Sequence, residues 1–114
     1  MKIEVKQQGD IHVMSCGGSL DADTVAAFKK VAYDLVEGGA TRFVIDCTGL
    51  TFIDSMGLGA LISLLRRVRD RHGDVKVASL SDEVKTIFDI TRLHRLFDVC
   101  ADSGTAIRQF NKNT

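Results

Sequence analysis

Four aspartates, Asp21, Asp23, Asp46 and Asp54, each stand where an apolar stretch gives way to a helical pattern or a loop before one. If those boundaries are strand-to-helix loops, the four carboxylates converge on one edge of a sheet. Such a cluster can bind Mg²⁺ and support phosphoryl chemistry on Asp46. A receiver built this way would bring an acidic pair after its first strand and a lysine after its last parallel strand. Here Gln7-Gln8-Gly9 and Cys100-Ala101-Asp102 occupy those places. The simpler reading is that Asp21 or Asp23 caps one helix and Asp54 caps the next, each carboxylate accepting a hydrogen bond from an orphan amide of the first turn.

Other enzyme chemistry is harder to assemble. Gly57-Leu58-Gly59 opens a helix, but Ile62 stands where a dinucleotide loop needs its third small residue, and no Gly-Lys-Ser/Thr follows as in a P-loop. His12, His72 and His94 lack metal-ligand spacing. Cys16, Cys47 and Cys100 are an odd, widely spaced set without Cys-x-x-Cys, which fits reduced packing thiols. Neither a cofactor, a metal nor a catalytic residue is expected.

The most informative segment is Phe52-Ile53-Asp54-Ser55-Met56-Gly57-Leu58-Gly59-Ala60-Leu61. Asp54 or Ser55 can cap the helix that follows. With Leu58, Leu61, Ile62 and Leu65 turned inward, positions 56, 59, 60 and 63 carry Met, Gly, Ala and Ser, a flat face nearly free of side chains. Such a face suits either a docking protein or close packing of a neighbouring helix.

The elements that must position these residues follow from periodicity. Ile3 to Gln7 and Ile11 to Cys16 read as strands joined by a tight turn at Gly9-Asp10, and Gly17-Gly18 are expected to break the second strand. Val25, Phe28, Val31, Ala32 and Leu35 repeat at helical spacing until Gly38-Gly39 stop them. Arg42 to Cys47 reads as a strand covered on both faces, Thr48 to Asp54 as a loop, and Leu58 to Val68 as the longest helix. A strand at Val75 to Leu80, a helix at Asp82 to Leu93, a short strand at Phe97 to Cys100 and a helix at Ser103 to Phe110 complete the chain. This is an α/β fold: an N-terminal β-hairpin leading into a mostly parallel sheet, about five strands and four helices, in the order ββαβαβαβα.

The 114 residues, 45% hydrophobic and 26% charged, suit one domain over residues 1–114 whose core forms without disulfides or a structural metal. Fifteen basic residues balance fifteen acidic ones, which disfavours direct nucleic-acid binding. The N-terminus does not read as a signal peptide and no apolar run is long enough for a membrane helix, so a cytoplasmic protein without membrane insertion is expected.

Gly18-Ser19-Leu20-Asp21-Ala22-Asp23-Thr24, Phe43-Val44-Ile45-Asp46 and the Phe52 to Leu61 segment resemble, in order and spacing, the STAS domain of bacterial anti-sigma-factor antagonists. The resemblance runs from about Ile3 to Ala106 and includes the signature Asp-Ser-x-Gly-Leu-Gly. It implies a non-enzymatic partner-switching regulator of sigma-factor-dependent transcription. In such proteins the first serine of the signature is phosphorylated by the anti-sigma factor, itself a serine kinase, and restored by a serine phosphatase. Ser55 is the matching position. Asp21, Asp23, Asp54, Met56, Gly57, Gly59, Ala60 and Ser63 are the expected partner-binding residues, on a monomer or weak dimer. Met56 replaces a serine common at that position in the family, which removes a second acceptor and adds an apolar contact. The alternative use of the same fold is as a constitutive subunit of a transport or stress-signalling complex without a phosphate switch. The run Arg66, Arg67, Arg69, Arg71 ends about 24 Å from Ser55 along the helix and is read as a solvated face.

Overall fold

The computed structural model describes residues 1–112. Strands β1 (Lys2–Gln8) and β2 (Ile11–Leu20) form an antiparallel hairpin whose register runs from Lys2 opposite Gly17 to Gln8 opposite Ile11. Gly9 turns it at φ +61°, the left-handed conformation that a two-residue hairpin turn requires. The remaining elements are α1 (Val25–Glu37), β3 (Arg42–Asp46), β4 (Leu50–Ile53), α2 (Ser55–Arg69), β5 (Asp74–Ala78), α3 (Asp82–Ile90), β6 (Asp98–Cys100) and α4 (Ser103–Lys112). A short 3-10 turn, Leu93–Arg95, separates α3 from β6. The sheet order is β1-β2-β3-β5-β6, parallel from β2 onward, with β4 pairing beside the end of β2.

The expected α/β architecture is therefore present, with three local differences. A sixth strand, β4, lies inside the segment read as a loop. Gly17-Gly18 do not break β2; the strand runs on to Leu20 with an irregularity between Gly18 and Ser19 where β4 joins it. Gly49 packs closely there, a Cβ on it reaching 3.2 Å from the Gly17 Cα, so two bare residues let the backbones meet. Helix α3 stops at Ile90 because Arg92 turns left-handed at φ +60°.

Alternation along the strands sends side chains to two cores. Met14, Cys16, Phe43, Ile45, Val75 and Val77 point toward α1, α2 and α3, while Ile11, Val13 and Val44 join Ala106 and Phe110 of α4 on the other face. Lys76, 3% exposed on that second face, is tolerated because its ammonium reaches Asp98 at 2.6 Å and lies 4.6 Å from the Phe110 ring centroid. The four arginines of the run are exposed, and three of them also make anchoring contacts. Arg69 donates to the Leu96 carbonyl at 2.8 Å, Arg71 to the Val36 carbonyl at 2.6 Å, and Arg67 lies 3.9 Å from the Tyr33 ring centroid. Three of the four thus tie the end of α2 to its neighbours. No helix among the described residues is long and apolar enough to cross a membrane.

Candidate partner-binding site at the start of α2

Asp54 is the N-cap of α2, in extended conformation at φ −104° and ψ −175°. Its Oδ1 accepts the Gly57 amide at 2.9 Å, and its Oδ2 accepts the Ala22 amide at 3.1 Å from the β2–α1 turn, 32 residues earlier. The backbone amide of Asp54 donates to the Leu20 carbonyl at 3.2 Å. One residue thus fixes both the helix start and the turn beside it.

That turn is itself closed by Asp21, whose Oδ1 accepts the amides of Asp23 at 3.0 Å and Thr24 at 3.3 Å. Thr24 Oγ1 accepts the Asp21 amide at 2.9 Å and donates to the Ser19 carbonyl at 2.8 Å. Asp21, Asp23 and Asp54 therefore come together around Ala22. Asp46 does not join them: its Oδ1 accepts the Thr48 amide and hydroxyl at 3.0 and 2.6 Å, and Ser15 Oγ donates to its Oδ2 at 3.4 Å. The described residues hold no group of three or more His, Cys, Asp or Glu arranged for a metal ion. The three thiols are buried; desolvation pushes Cys16 up to about 12, with Asp46 adding to the rise, and raises Cys47 and Cys100 too.

Ser55 is the first residue of α2, exposed, and its hydroxyl carries no hydrogen bond among the described residues. Met56 is 51% exposed and Gly59 faces open space, with nothing within 4 Å of a Cβ placed there. Gly57 and Ala60 differ from the expected outward placement. Both are buried on the inner face with Leu61, Leu64, Leu65 and Val68, while Leu58 and Ile62 are only half-buried. A Cβ on Gly57 would collide with the Leu20 carbonyl oxygen and lie 2.8 Å from Ile53 Cγ1. The small residues on this side of α2 serve the close-packing alternative, letting the helix sit against β2 and β4. Ser63 lies at the α1–α2 seam, where its Oγ accepts the Tyr33 hydroxyl at 2.7 Å.

Sequence reasoning missed Phe52, which is 49% exposed on β4 two residues before Asp54. Its signal was the side chain itself, a large aromatic ring in the segment taken for a loop. With Met56 it flanks the Asp54-Ser55 pair by two exposed apolar groups.

The STAS domain family model matches residues 2–106. An anti-sigma-B factor antagonist of Listeria monocytogenes is 29% identical over 102 residues, covering 87% of this chain and 88% of that protein. A putative anti-sigma factor antagonist from Thermotoga maritima superimposes with a TM-score of 0.90 at 19% identity, over 94% of this chain and 92% of that one. The Bacillus cell fate determinant SpoIIAA in its phosphorylated form gives a TM-score of 0.76 at 20% identity, over 96% and 99%. With the hairpin, the parallel sheet and the capped α2 signature all in the order that the family model spans, the chain belongs to the STAS domain family.

Proposed function

We propose that the chain is an anti-sigma-factor antagonist, a regulatory binding protein and not an enzyme. It holds an anti-sigma-factor serine kinase through the start of α2 and is released when Ser55 is phosphorylated. The observation that carries this reading is the unengaged, exposed Ser55 hydroxyl beside a fully committed Asp54 cap, between exposed Phe52 and Met56. The names of the Listeria and Thermotoga relatives support the antagonist role, and the phosphorylated form of the Bacillus protein supports the switch.

The kinase moves the γ-phosphoryl group of ATP to Ser55 Oγ, the hydroxyl proton leaves, and ADP departs. The product adds about −1.5 to −2 charge to a surface that already carries Asp54. In the free chain the α2 dipole offsets part of this, by roughly 0.3–1 kcal/mol, so the fold survives. Burying the same charge against a partner without a cation costs several kcal/mol, enough to weaken binding by about a hundredfold or more. The docking surface comprises Asp21, Asp23, Asp54, Met56, Gly59 and Ser63 with Phe52, while Gly57 and Ala60 act by setting the depth of α2. A serine phosphatase resets the cycle.

The test is capture from native lysate on the unmodified chain with ATP present, reading any modified residue by mass spectrometry, alongside Ser55→Ala and Ser55→Asp. The expected result is a serine kinase with phosphate on Ser55, binding kept by Ser55→Ala and lost by Ser55→Asp at an unchanged melting temperature. Capture of transporter subunits with no change in mass and no effect of Ser55→Asp overturns the switch in favour of a constitutive subunit.

A further inference from the structure

Helix α4 packs over β3, β5 and β6 and shares a buried cluster with Ile11 and Val13 of β2, while β1 at the edge of the sheet stays exposed. Between the flank of α4 and exposed β1 runs an open cleft of about 450 Å³. Its size falls in the range of small-molecule sites, and so does its chemistry: an apolar floor with a few convergent polar groups. Val13 and Ile107 form the floor, and Lys6 of β1 and Arg108 of α4 supply two cations from opposite sides. Ser15 and Asp46 close one end.

Two features separate this cleft from an ordinary surface groove. The Asp46 carboxylate is oriented by two bonds from Thr48 to Oδ1, while among the described residues Oδ2 has the one long 3.4 Å contact from Ser15 and keeps capacity to accept a further donor. The cleft also opens where β3 and β6 end, the edge of a parallel sheet at which ligands collect.

We propose that this cleft binds a small phosphorylated polyol. Lys6 and Arg108 match the two charges of a phosphate monoester, and Asp46 Oδ2 with the Ser15 hydroxyl receives the polyol hydroxyls. The site is separate from the start of α2 and does not depend on the antagonist reading. Arg108 is exposed, with a hydrogen bond to Thr105 Oγ1 at 3.1 Å and Asp102 nearby, and Lys6 is exposed, so both can be replaced without disturbing the core.

The experiment is an amide chemical-shift titration of the full chain with glycerol 3-phosphate, with inorganic phosphate and glycerol as the two partial probes. Saturable shifts at Lys6, Ser15, Asp46, Ser103 and Gly104 are expected, with glycerol 3-phosphate binding about tenfold tighter than either partial probe. Arg108→Gln should weaken glycerol 3-phosphate and phosphate alike, whereas Asp46→Asn should remove the preference for the polyol over bare phosphate. Linear, unsaturating shifts, shifts centred on Ser55, or an undiminished response in Arg108→Gln would overturn the proposal.

Discussion

Alanine at Gly57 and alanine at Gly59 should move stability in opposite directions, although the two glycines stand two residues apart in one motif. In an exposed helix interior, Gly→Ala gains about 0.5–1 kcal/mol from restricting the unfolded chain. Gly59 has nothing within 4 Å of the added methyl, so Gly59→Ala should realise that gain. At Gly57 the methyl meets the Leu20 carbonyl oxygen, a backbone atom that cannot rotate away, as well as Leu20 Cγ at 2.9 Å and Ile53 Cγ1 at 2.8 Å. Overpacking of this kind costs about 1–3 kcal/mol, leaving a net loss of up to about 2.5 kcal/mol once the propensity gain is subtracted. Urea denaturation reads both changes: with a slope of about 1–3 kcal/mol/M, the midpoint of Gly57→Ala should fall by about 1 M while that of Gly59→Ala rises slightly. Gly59→Ala should still bind its partner more weakly, because its methyl stands on the outward face. A Gly57→Ala midpoint at or above that of the parent chain would refute the claim that α2 is seated by backbone contact with β2.

Asp54→Ala should cost about 1–2 kcal/mol, as for other N-caps, and should speed hydrogen exchange at both Gly57 and Ala22; acceleration at Gly57 alone would mean that the link to the β2–α1 turn carries no weight. The buried thiols, with Cys16 pushed up to about 12, should resist an aromatic disulfide reagent at pH 8 in the folded chain and react fully in urea, and rapid titration of the native protein would contradict their burial. Asp102 is held below the usual carboxylate range by the Thr105 backbone amide and side chain. Its contribution to α4 is therefore complete above about pH 4 and is lost as the pH falls through the lowered value. Amide exchange in α4 followed against pH should show that acid-side loosening in the parent chain and not in Asp102→Asn.

The hairpin and the helix and strand positions were legible because period-two and period-3.6 patterns, with glycines at Gly9 and Gly38-Gly39, state them locally. Strand β4 was not, since its exposure runs buried, exposed, exposed, buried along Leu50, Thr51, Phe52 and Ile53, without the alternation that announces a strand. The phase of α2 was misjudged by about one residue for a related reason. A reading that weighs only large apolar side chains treats Gly57 and Ala60 as blank surface, whereas close helix-to-strand contact demands residues of that size. The Asp54 bond to Ala22 joins positions 32 apart and has no local trace, so the cap was readable but its second partner was not.

The assignment of the switch to Ser55 gains most from the hydroxyls around it. Thr24 is committed to the Ser19 carbonyl and the Asp21 amide, Thr48 to Asp46, Thr51 to the Gly18 carbonyl at 3.2 Å, and Ser63 to Tyr33. Phosphorylating any of these would first break a bond that shapes a turn or a helix seam, so the modified chain would lose structure along with binding. Ser55 breaks nothing, because Asp54 already satisfies the Gly57 amide that a capping serine would otherwise hold. On the proposed switch, this division of labour between neighbours leaves Asp54 for the fold and Ser55 for the signal. It also makes Asp54→Ala informative beyond stability: with the cap vacant, Ser55 can be drawn inward to replace it, and phosphorylation by the same kinase should slow. An unchanged rate in Asp54→Ala would show that the availability of Ser55 does not depend on its neighbour.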